Sequence, residues 1–409
     1  MKKVLTLVLA LVMLFSFAVA TGCGGDSEEG ADFLVGAIYI NGKNDTAGYT
    51  FAHHNGITNA MKQLGMDVEK QLKIVDNVPE DDAQVTNAIN TLASQGCKII
   101  IGISFGYINA MEAAAEKYPD IIFSHATGYL ANDKNFNNYF GRIYQARYLA
   151  GIAAGKKSLA LGNNNIGYVA AYGTEYAETC SGINAFALGV QAVNPDAKVY
   201  VSKLNAWANE NLERQLAEKL ITDYGCCVIA QHCDSAQPQI VAQEKNVFGC
   251  GYNSDMTAQA SGAHLTAPIW NWDVYYKLAI ETAMNDAANF MTKVGIYYGG
   301  LKEGFVDISP LTENCEEGTK EIIDAVKAMM INGEWDVFTN VKLSIAADGT
   351  ITKVDGAMLD NKGGEVISAD NTYYIYADGA LVAVEGGAAA QDGVIKGSMN
   401  WYVAGVEEK

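Results

Sequence analysis

The sequence alternates short, unbroken apolar runs with segments of helical period, and this alternation restricts the possible folds more than any other feature. Runs such as Leu34–Ile40 and Lys98–Ile103 are rich in Ile and Val and show no regular polar alternation. This is typical of strands that are buried on both faces of a parallel sheet. The segment Asp81–Ser94 has apolar residues at helical spacing and begins with acids, which stabilise a helix N-terminus. The pattern predicts an α/β fold.

The same alternation restarts near residue 145 and predicts a second lobe. A long helix rich in Ala and Gly is expected over Gln145–Leu161, followed by further strands and helices as far as Val247–Gly251. A chain of 409 residues also exceeds one ordinary hydrophobic core. We therefore expect two doubly wound parallel-sheet lobes joined by a hinge.

Both lobes are expected to be discontinuous in sequence. The expected ranges are 32–145 plus about 255–295 for the first lobe, and 146–254 plus about 296–409 for the second. Beyond Thr339 the sequence changes character, and turn signals at Asp348-Gly349 and Asn361-Lys362-Gly363 predict short hairpins. We expect these hairpins to be attached to the second lobe.

Residues 1–22 have the layout of a secretory signal peptide. Lys2 and Lys3 precede the apolar run Val4–Ala20, which is short for a membrane-spanning helix. The sequence from Ala20 to Cys23 resembles a bacterial lipobox, in which the cysteine becomes the first residue and carries lipid. Residues 23–31 are rich in Gly and acids and predict a flexible tether. The alternative is an ordinary cleaved signal followed by an unmodified Cys23.

The composition predicts a globular protein that does not bind nucleic acid. The chain is 49% hydrophobic and 18% charged, with a formal net charge of −19. Residues 1–22 carry two lysines and no acid, so the remaining chain is more acidic still. Phosphate contacts require Lys and Arg, which argues against nucleic acid as a partner. No second apolar run reaches membrane-spanning length, so lipid on Cys23 would be the only membrane attachment.

The cysteines and histidines do not form a recognisable catalytic or metal motif. Seven cysteines follow Cys23, and an odd number cannot pair completely within one chain, so buried free thiols are expected. Cys226, Cys227 and Cys233 lie near His232, but adjacent residues of a strand point to opposite faces, which argues against a shared zinc site. No Ser-His-Asp spacing or glycine-rich phosphate loop stands out. We expect a binding protein without a cofactor, not an enzyme.

Aromatic and acidic residues follow several predicted strands. Ligands of parallel sheets bind beyond the carboxyl ends of the strands, and two facing lobes enclose a cleft, so these side chains are expected to meet there. They are Asp45, Tyr49, Phe51, His53, Phe105, Trp207, Asp234 and Asp255. No lysine or arginine is among them, which predicts a flat, uncharged ligand that stacks on rings and donates hydrogen bonds to Asp. Each aromatic residue could instead belong to the core, and Asp234 could be a helix N-cap.

Several motifs together resemble the basic membrane protein family of ABC importer lipoproteins. They are Asn44-Asp45 with Gly48-Tyr49, a long helix over Tyr139–Gly155, Gly182–Phe186, Val193–Ala197, Asn253–Met256, Ala263–Thr266, Trp270–Trp272 and Met399–Val406. The resemblance covers nearly all of the chain after the signal peptide. It implies a type I periplasmic-binding-protein fold that binds purine nucleosides or related aromatic molecules.

The resemblance also implies roles for individual residues. His53, Trp207, Asp234 and Trp272 resemble the family branch that takes free nucleobases such as adenine, although Tyr49 stands where that branch has tryptophan and residues 339–397 are expanded. We expect Tyr49 or Phe51, Phe105 and Trp207 to pack on the ring, and Asp234 and Asp255 to orient it. Lys277 would support an acid near the hinge, or is simply a solvated helix lysine.

The implied mechanism is capture of a small aromatic ligand by closure of the lobes on the extracytoplasmic face of the cell membrane. The implied partners are ABC permease and ATPase subunits, with the membrane contacted through the N-terminal lipid. The alternatives are a sensor that presents its ligand to a membrane receptor, and binding of another solute such as riboflavin or a sugar. An amino acid is disfavoured because its carboxylate would need a cation.

Overall fold

Two six-stranded parallel sheets form the framework of the chain in the computed structural model, which describes residues 33–409. The predicted signal peptide, Cys23 and the tether lie outside the described residues. The first group of elements is β1 (Leu34–Tyr39), α1 (Gly48–Gln63), α2 (Val68–Gln71), β2 (Leu72–Val75), α3 (Asp82–Ser94), β3 (Cys97–Ile103), α4 (Ile108–Lys117), β4 (Ile122–Ala126) and β5 (Phe136–Gly141).

The second group repeats the same alternation of strands and helices. It is α5 (Ile143–Ala160), β6 (Asn165–Ala170), α6 (Ala177–Val193), β7 (Lys198–Lys203), α7 (Glu210–Tyr224), β8 (Val228–His232), α8 (Gln237–Glu244), β9 (Phe248–Cys250) and β10 (His264–Thr266).

The last group crosses between the lobes and adds the C-terminal hairpins. It is β11 (Pro268–Trp270), α9 (Trp272–Asp286), α10 (Phe290–Lys293), β12 (Tyr297–Gly299), β13 (Val306–Ile308), α11 (Thr319–Ile331), β14 (Val341–Ile345), β15 (Ile351–Asp355), β16 (Met358–Leu359), β17 (Glu365–Ile367), β18 (Thr372–Ala377), β19 (Ala380–Ala388), α12 (Asp392–Ser398) and β20 (Val406–Glu408).

The two large sheets arrange their first five strands in the same order. The first runs β12-β5-β4-β3-β1-β2 and the second runs β10-β9-β8-β6-β7-β20, with parallel pairing throughout. In each sheet the first strand in sequence is an interior strand, the second strand lies on one side of it, and the third lies on the other side. The reversal creates a switch point beside β1 in one sheet and beside β6 in the other, where ligands of such folds bind. The predicted α/β fold with two doubly wound sheets is confirmed.

The chain returns to the first lobe later than the sequence suggested. β10 still belongs to the second sheet, whereas β12 forms the edge of the first sheet and α9 packs on α1. The expected ranges placed the return at about residue 255 and the exit at about 296. We propose instead that the chain enters the first lobe after Thr266 and leaves it after Gly299.

Helix α5 forms the centre of the second lobe. It is buried along most of its length and packs on α6 at very close range. A Cβ atom on Gly151 would lie 2.2 Å from the carbonyl oxygen of Phe186, so only glycine allows this approach. The resemblance predicted a helix over Tyr139–Gly155, which is wrong in its first residues: Tyr139 lies in β5, and α5 begins at Ile143.

The C-terminal region forms small antiparallel sheets, as its turn signals predicted. β14 and β15 make one hairpin and β16 to β19 make a four-stranded sheet. Gly349 and Gly363 occupy the two predicted turns, both with φ in the left-handed region that glycine tolerates. After these sheets come α12 and β20, and β20 completes the second large sheet beside β7.

The seven cysteines from Cys97 to Cys315 are free thiols, and all but Cys315 are buried. Burial raises the pKa of Cys97 to about 11 and that of Cys226 to about 12, so these thiols stay protonated at neutral pH. Within residues 33–409, no group of three His, Cys, Asp or Glu side chains is placed to hold a metal ion. No helix of the same region is both long and apolar enough to span a bilayer.

Candidate ligand-binding site

A cavity of about 610 Å³ lies where the carboxyl ends of the two large sheets face each other. Its volume falls within the range of about 300–1,000 Å³ that is usual for small-ligand sites. Residues at or after the ends of β1, β3, β4 and β5 form one wall, and residues after β6, β7, β8 and β9 form the other. The topology therefore places the cavity where doubly wound sheets bind ligands.

Four of the residues singled out from the sequence line this cavity together. Tyr49 and Phe105 come from the first lobe, and Trp207 and Asp234 from the second. Tyr49 is the second residue of α1, and Phe105 begins a short 3₁₀ turn directly after β3. Trp207 and Asp234 lie in the loops after β7 and β8, and the backbone N–H of Asp234 donates to the carbonyl oxygen of Trp207 at 3.1 Å.

Aromatic rings from both lobes border the cavity. Phe105 meets Tyr176 of the second lobe edge-on, with 6.1 Å between ring centroids and 87° between planes. Tyr176 in turn lies 5.8 Å from Trp207, and Tyr129 lies 6.3 Å from Phe105. These rings leave apolar faces for a planar ligand, and ring pairs of this kind favour stacked or edge-on contacts.

The two lobes are in contact beside the cavity. Gly48, with φ of +84°, begins α1 so close to the second lobe that a Cβ atom would lie 1.7 Å from the carbonyl oxygen of Asp234. The N–H of Gly48 also donates to Ser254 Oγ at 3.3 Å, and Gln259 Nε2 donates to the carbonyl oxygen of Thr46 at 3.3 Å. A glycine at position 48 is therefore required for the lobes to approach this closely.

Asp234 presents a carboxylate to the cavity in an environment that disfavours its charge. Burial raises the pKa of Asp234 well above its usual value, and the nearby carboxylate of Glu213 raises it further. Asn253 opposes this by donating from Nδ2 to Oδ1 at 3.1 Å. Its other oxygen, Oδ2, has no hydrogen-bond partner among the described residues. A ligand N–H or O–H could supply a partner for this oxygen.

Glu178 and His232 form a second polar pair on the wall. His232 Nε2 lies 3.1 Å from Glu178 Oε2. Burial alone would raise the pKa of Glu178, but His232 and Arg147 outweigh it and the pKa is lowered. Burial and Arg147 lower the pKa of His232, so a neutral ring donates to an ionised carboxylate. Within residues 33–409, Glu178 Oε1 and the hydroxyl of Tyr49 are enclosed and have no hydrogen-bond partner, so two polar atoms of the wall are unpaired.

His53 and Trp272 lie behind Tyr49 and do not line the cavity. The His53 ring meets Tyr49 edge-on with 4.3 Å between centroids, and stacks on Trp272 with 3.9 Å between centroids. His53 Nδ1 is 2.5 Å from the hydroxyl of Tyr276, and burial lowers the pKa of His53 well below its usual value. These rings position Tyr49 and do not offer a face to a ligand.

The other predicted residues are not brought to the cavity. Asp45 and Phe51 are half-buried near the start of α1, outside the cavity wall. Asp255 is exposed and accepts from the N–H of Thr257 at 2.9 Å. Lys277 is an exposed residue of α9. Asp255 and Lys277 therefore have environments unlike those expected of ligand-binding groups.

Sequence reasoning missed several lining residues. Tyr176 and Glu178 follow β6, as aromatic and acidic residues follow the other strands, but they lie at the start of α6, where an acidic residue also serves as a helix start signal. Tyr252 follows β9 in the same way. Lys396 also lines the cavity, although the sequence indicated no cation there. It belongs to α12, and no local signal connects that helix with the site.

Known proteins are similar to this chain over most of its length. The family model for ABC transporter substrate-binding proteins of the PnrA-like Bmp type matches residues 33–337. A purine-binding protein of Brucella abortus is 33% identical over 386 residues, covering 94% of this chain and 96% of that protein. A candidate glucose-binding protein of an ABC transporter in Haloferax volcanii is 32% identical over 350 residues, covering 86% of this chain and 85% of that protein.

A solved structure supports the fold. An ABC transporter solute-binding protein from Aeropyrum pernix superimposes with a TM-score of 0.62 at 17% identity, covering 76% of this chain and 93% of the other. The family model extends over well more than half of the 409 residues, and two full-length relatives exceed 30% identity. The chain therefore belongs to the Bmp family of ABC transporter substrate-binding proteins.

Proposed function

We propose that this substrate-binding protein captures a purine nucleobase or nucleoside in the cavity between its lobes. The observation that carries the proposal is the convergence of Phe105, Tyr176 and Trp207 around one cavity with the carboxylate of Asp234. Aromatic faces bind any planar heterocycle, and a carboxylate accepts hydrogen bonds from its N–H groups. The name of the Brucella abortus relative supports the same ligand class.

The proposed cellular role is delivery of this ligand to an ABC importer. Proteins of this family act outside the cytoplasm and hand their ligand to permease and ATPase subunits. We propose that lipid on Cys23 holds the protein at the membrane. Membrane fractionation of the wild type and of Cys23→Ala tests the anchor. The wild type is expected in the membrane fraction and the variant in the soluble fraction. If both proteins distribute in the same way between the fractions, the lipoprotein proposal is wrong.

A sugar is the second candidate ligand, because the Haloferax volcanii relative is named for glucose and the carboxylates of Glu178 and Asp234 could accept from sugar hydroxyls. Seven bordering aromatic residues favour the purine, since a planar heterocycle can stack on their rings. These are Tyr49, Phe105, Tyr129, Phe140, Tyr176, Trp207 and Tyr252.

Isothermal titration of the chain from residue 24 onward decides between these candidates. We expect saturable binding of hypoxanthine, guanine, adenine or their nucleosides and no heat with glucose or riboflavin. Mass spectrometry of ligand released from freshly purified protein provides an independent identification. Binding of glucose alone, or of no purine at all, would overturn the proposal.

A further inference from the structure

Helix α12 forms part of the cavity although it lies outside the part of the chain that matches the family model. That match ends at residue 337, whereas Gly393, Lys396 and Gly397 of α12 border the cavity. The helix follows the C-terminal sheet of β16 to β19. The cavity is thus enclosed by the two lobes and by a third element that the family match does not include.

The helix is fixed in this position by contacts on its other sides. Asp392 accepts from Arg142 Nε at 2.7 Å and from Arg142 Nη2 at 2.6 Å. Val394 is 7% exposed and Ile395 is fully buried, and the helix packs on α6. A bidentate ion pair and an apolar face together hold a short helix in one orientation. Its remaining face is therefore a stable part of the cavity wall.

The two glycines on that face are not required by protein packing. A Cβ atom on either Gly393 or Gly397 would meet no other atom within 4 Å, and neither has a positive φ. Glycine is the poorest helix former after proline, so two glycines in a seven-residue helix reduce its stability. Both glycines are exposed and border the cavity, so the space in front of them is open. A ligand that occupies this space would explain why both positions are glycine.

Lys396 lies between these glycines in sequence and forms no ion pair within residues 33–409. It is half-buried, and its Nζ lies 4.8 Å from the ring centroid of Tyr298. Burial lowers the pKa of Lys396, and Asp392 only partly offsets this. No hydrogen bond or ion pair joins Nζ to another described residue. A half-buried ammonium beside a cavity is therefore available to donate to an acceptor on the ligand.

We propose that α12 is a third wall of the ligand site and that Lys396 selects purines carrying a carbonyl oxygen, such as hypoxanthine and guanine, over adenine. This inference rests on the proposed purine-binding function. An oxopurine offers O6 and N7 as adjacent acceptors for an ammonium, whereas adenine has an amino donor beside N7. Asp234, on the second-lobe wall of the same cavity, accepts from a ring N–H.

Titration of Lys396→Met with hypoxanthine, guanine and adenine tests the selection. We expect the wild type to prefer the oxopurines by about tenfold or more, and the variant to lose that preference. Lys342→Met is the matched control, because Lys342 is also half-buried with a lowered pKa but lies outside this cavity. It should keep the wild-type preference. If Lys396→Met binds purines and still prefers oxopurines over adenine as the wild type does, the proposed selection by Lys396 is wrong.

Gly397→Leu tests the third wall independently of charge. The substituted side chain has room in the folded protein but fills ligand space, so affinity for all purines should fall about tenfold or more while the melting temperature does not fall. Ser398→Leu, on the same helix but off the cavity wall, should retain affinity. Unchanged affinity in Gly397→Leu overturns the third wall and leaves the proposed function standing. Failure of the wild type to bind any purine overturns both.

Discussion

Replacing Asp234 by asparagine should increase stability and weaken binding at the same time. The substitution keeps the size of the side chain and its hydrogen bond from Asn253, which is 3.1 Å long. It removes a charge that burial and Glu213 both disfavour, as the raised pKa of Asp234 indicates. The asparagine amide would face the ligand with a donor in place of an acceptor. Opposite effects on stability and affinity are expected where a charge is retained for binding.

The size of both effects follows from these contacts. A hydrogen bond to a charged group contributes about 1.5–3 kcal/mol, so the affinity for hypoxanthine should fall by roughly 10- to 150-fold. The gain in unfolding free energy should be about 1 kcal/mol at pH 7 to 8. A raised carboxyl pKa means that the folded protein binds the proton more tightly than the unfolded chain. The stability gain should therefore shrink as the pH falls and Asp234 becomes protonated in the wild type.

Differential scanning calorimetry and isothermal titration measure the two effects on one preparation. Asp255→Asn is the matched control, because Asp255 also follows a strand of the second sheet but is exposed and away from the cavity. It should change neither quantity. Wild-type affinity in Asp234→Asn would show that Asp234 does not contact the ligand, and a lower melting temperature would refute the account of its buried charge.

Three further outcomes are expected. Trp207→Ala should weaken purine binding by about 1–3 kcal/mol in titration calorimetry, because one stacking face is lost, and unchanged affinity would remove Trp207 from the site. Gly56→Ala should lower the free energy of unfolding in urea by about 1–3 kcal/mol, because its Cβ would lie 2.4 Å from Trp272 Cβ, and an unchanged midpoint would contradict that packing. The six buried thiols should resist alkylation by iodoacetamide at pH 8 until urea is added, because burial encloses them and raises their pKa values. Mass spectrometry follows the alkylation, and rapid alkylation of Cys226, whose pKa is raised to about 12, would contradict this expectation.

The repeated strands and helices could be predicted because their signals are local. β3 reads as a continuous apolar run, and α3 has both periodicity and an acidic start. β5 has no such signal, because Asn137 and Asn138 interrupt its apolar pattern. Asn137 is buried and donates from Nδ2 to the carbonyl oxygen of Gly295 at 2.6 Å, so distant residues satisfy its polarity. Such tertiary pairing has no signature in the strand itself.

The candidate site was only partly predictable for the same reason. Tyr49, Phe105, Trp207 and Asp234 could be proposed because topology brings strand ends together. Asp255 follows a strand too, but Asn253 has φ of +67° and turns the chain, so that Asp255 bonds locally to Thr257.

The order of strands in the second sheet has a consequence for how the polypeptide reaches its native state. Strand β20 pairs along β7, and Asn184 of α6 donates to the carbonyl oxygen of Trp401 at 2.7 Å. Until β20 has been synthesised, β7 has an open edge that invites pairing with other chains. The second lobe therefore stays incomplete until this strand, which lies far from β7 in sequence, becomes available. For a polypeptide that is exported, this delay would favour passage across the membrane in an unfolded state.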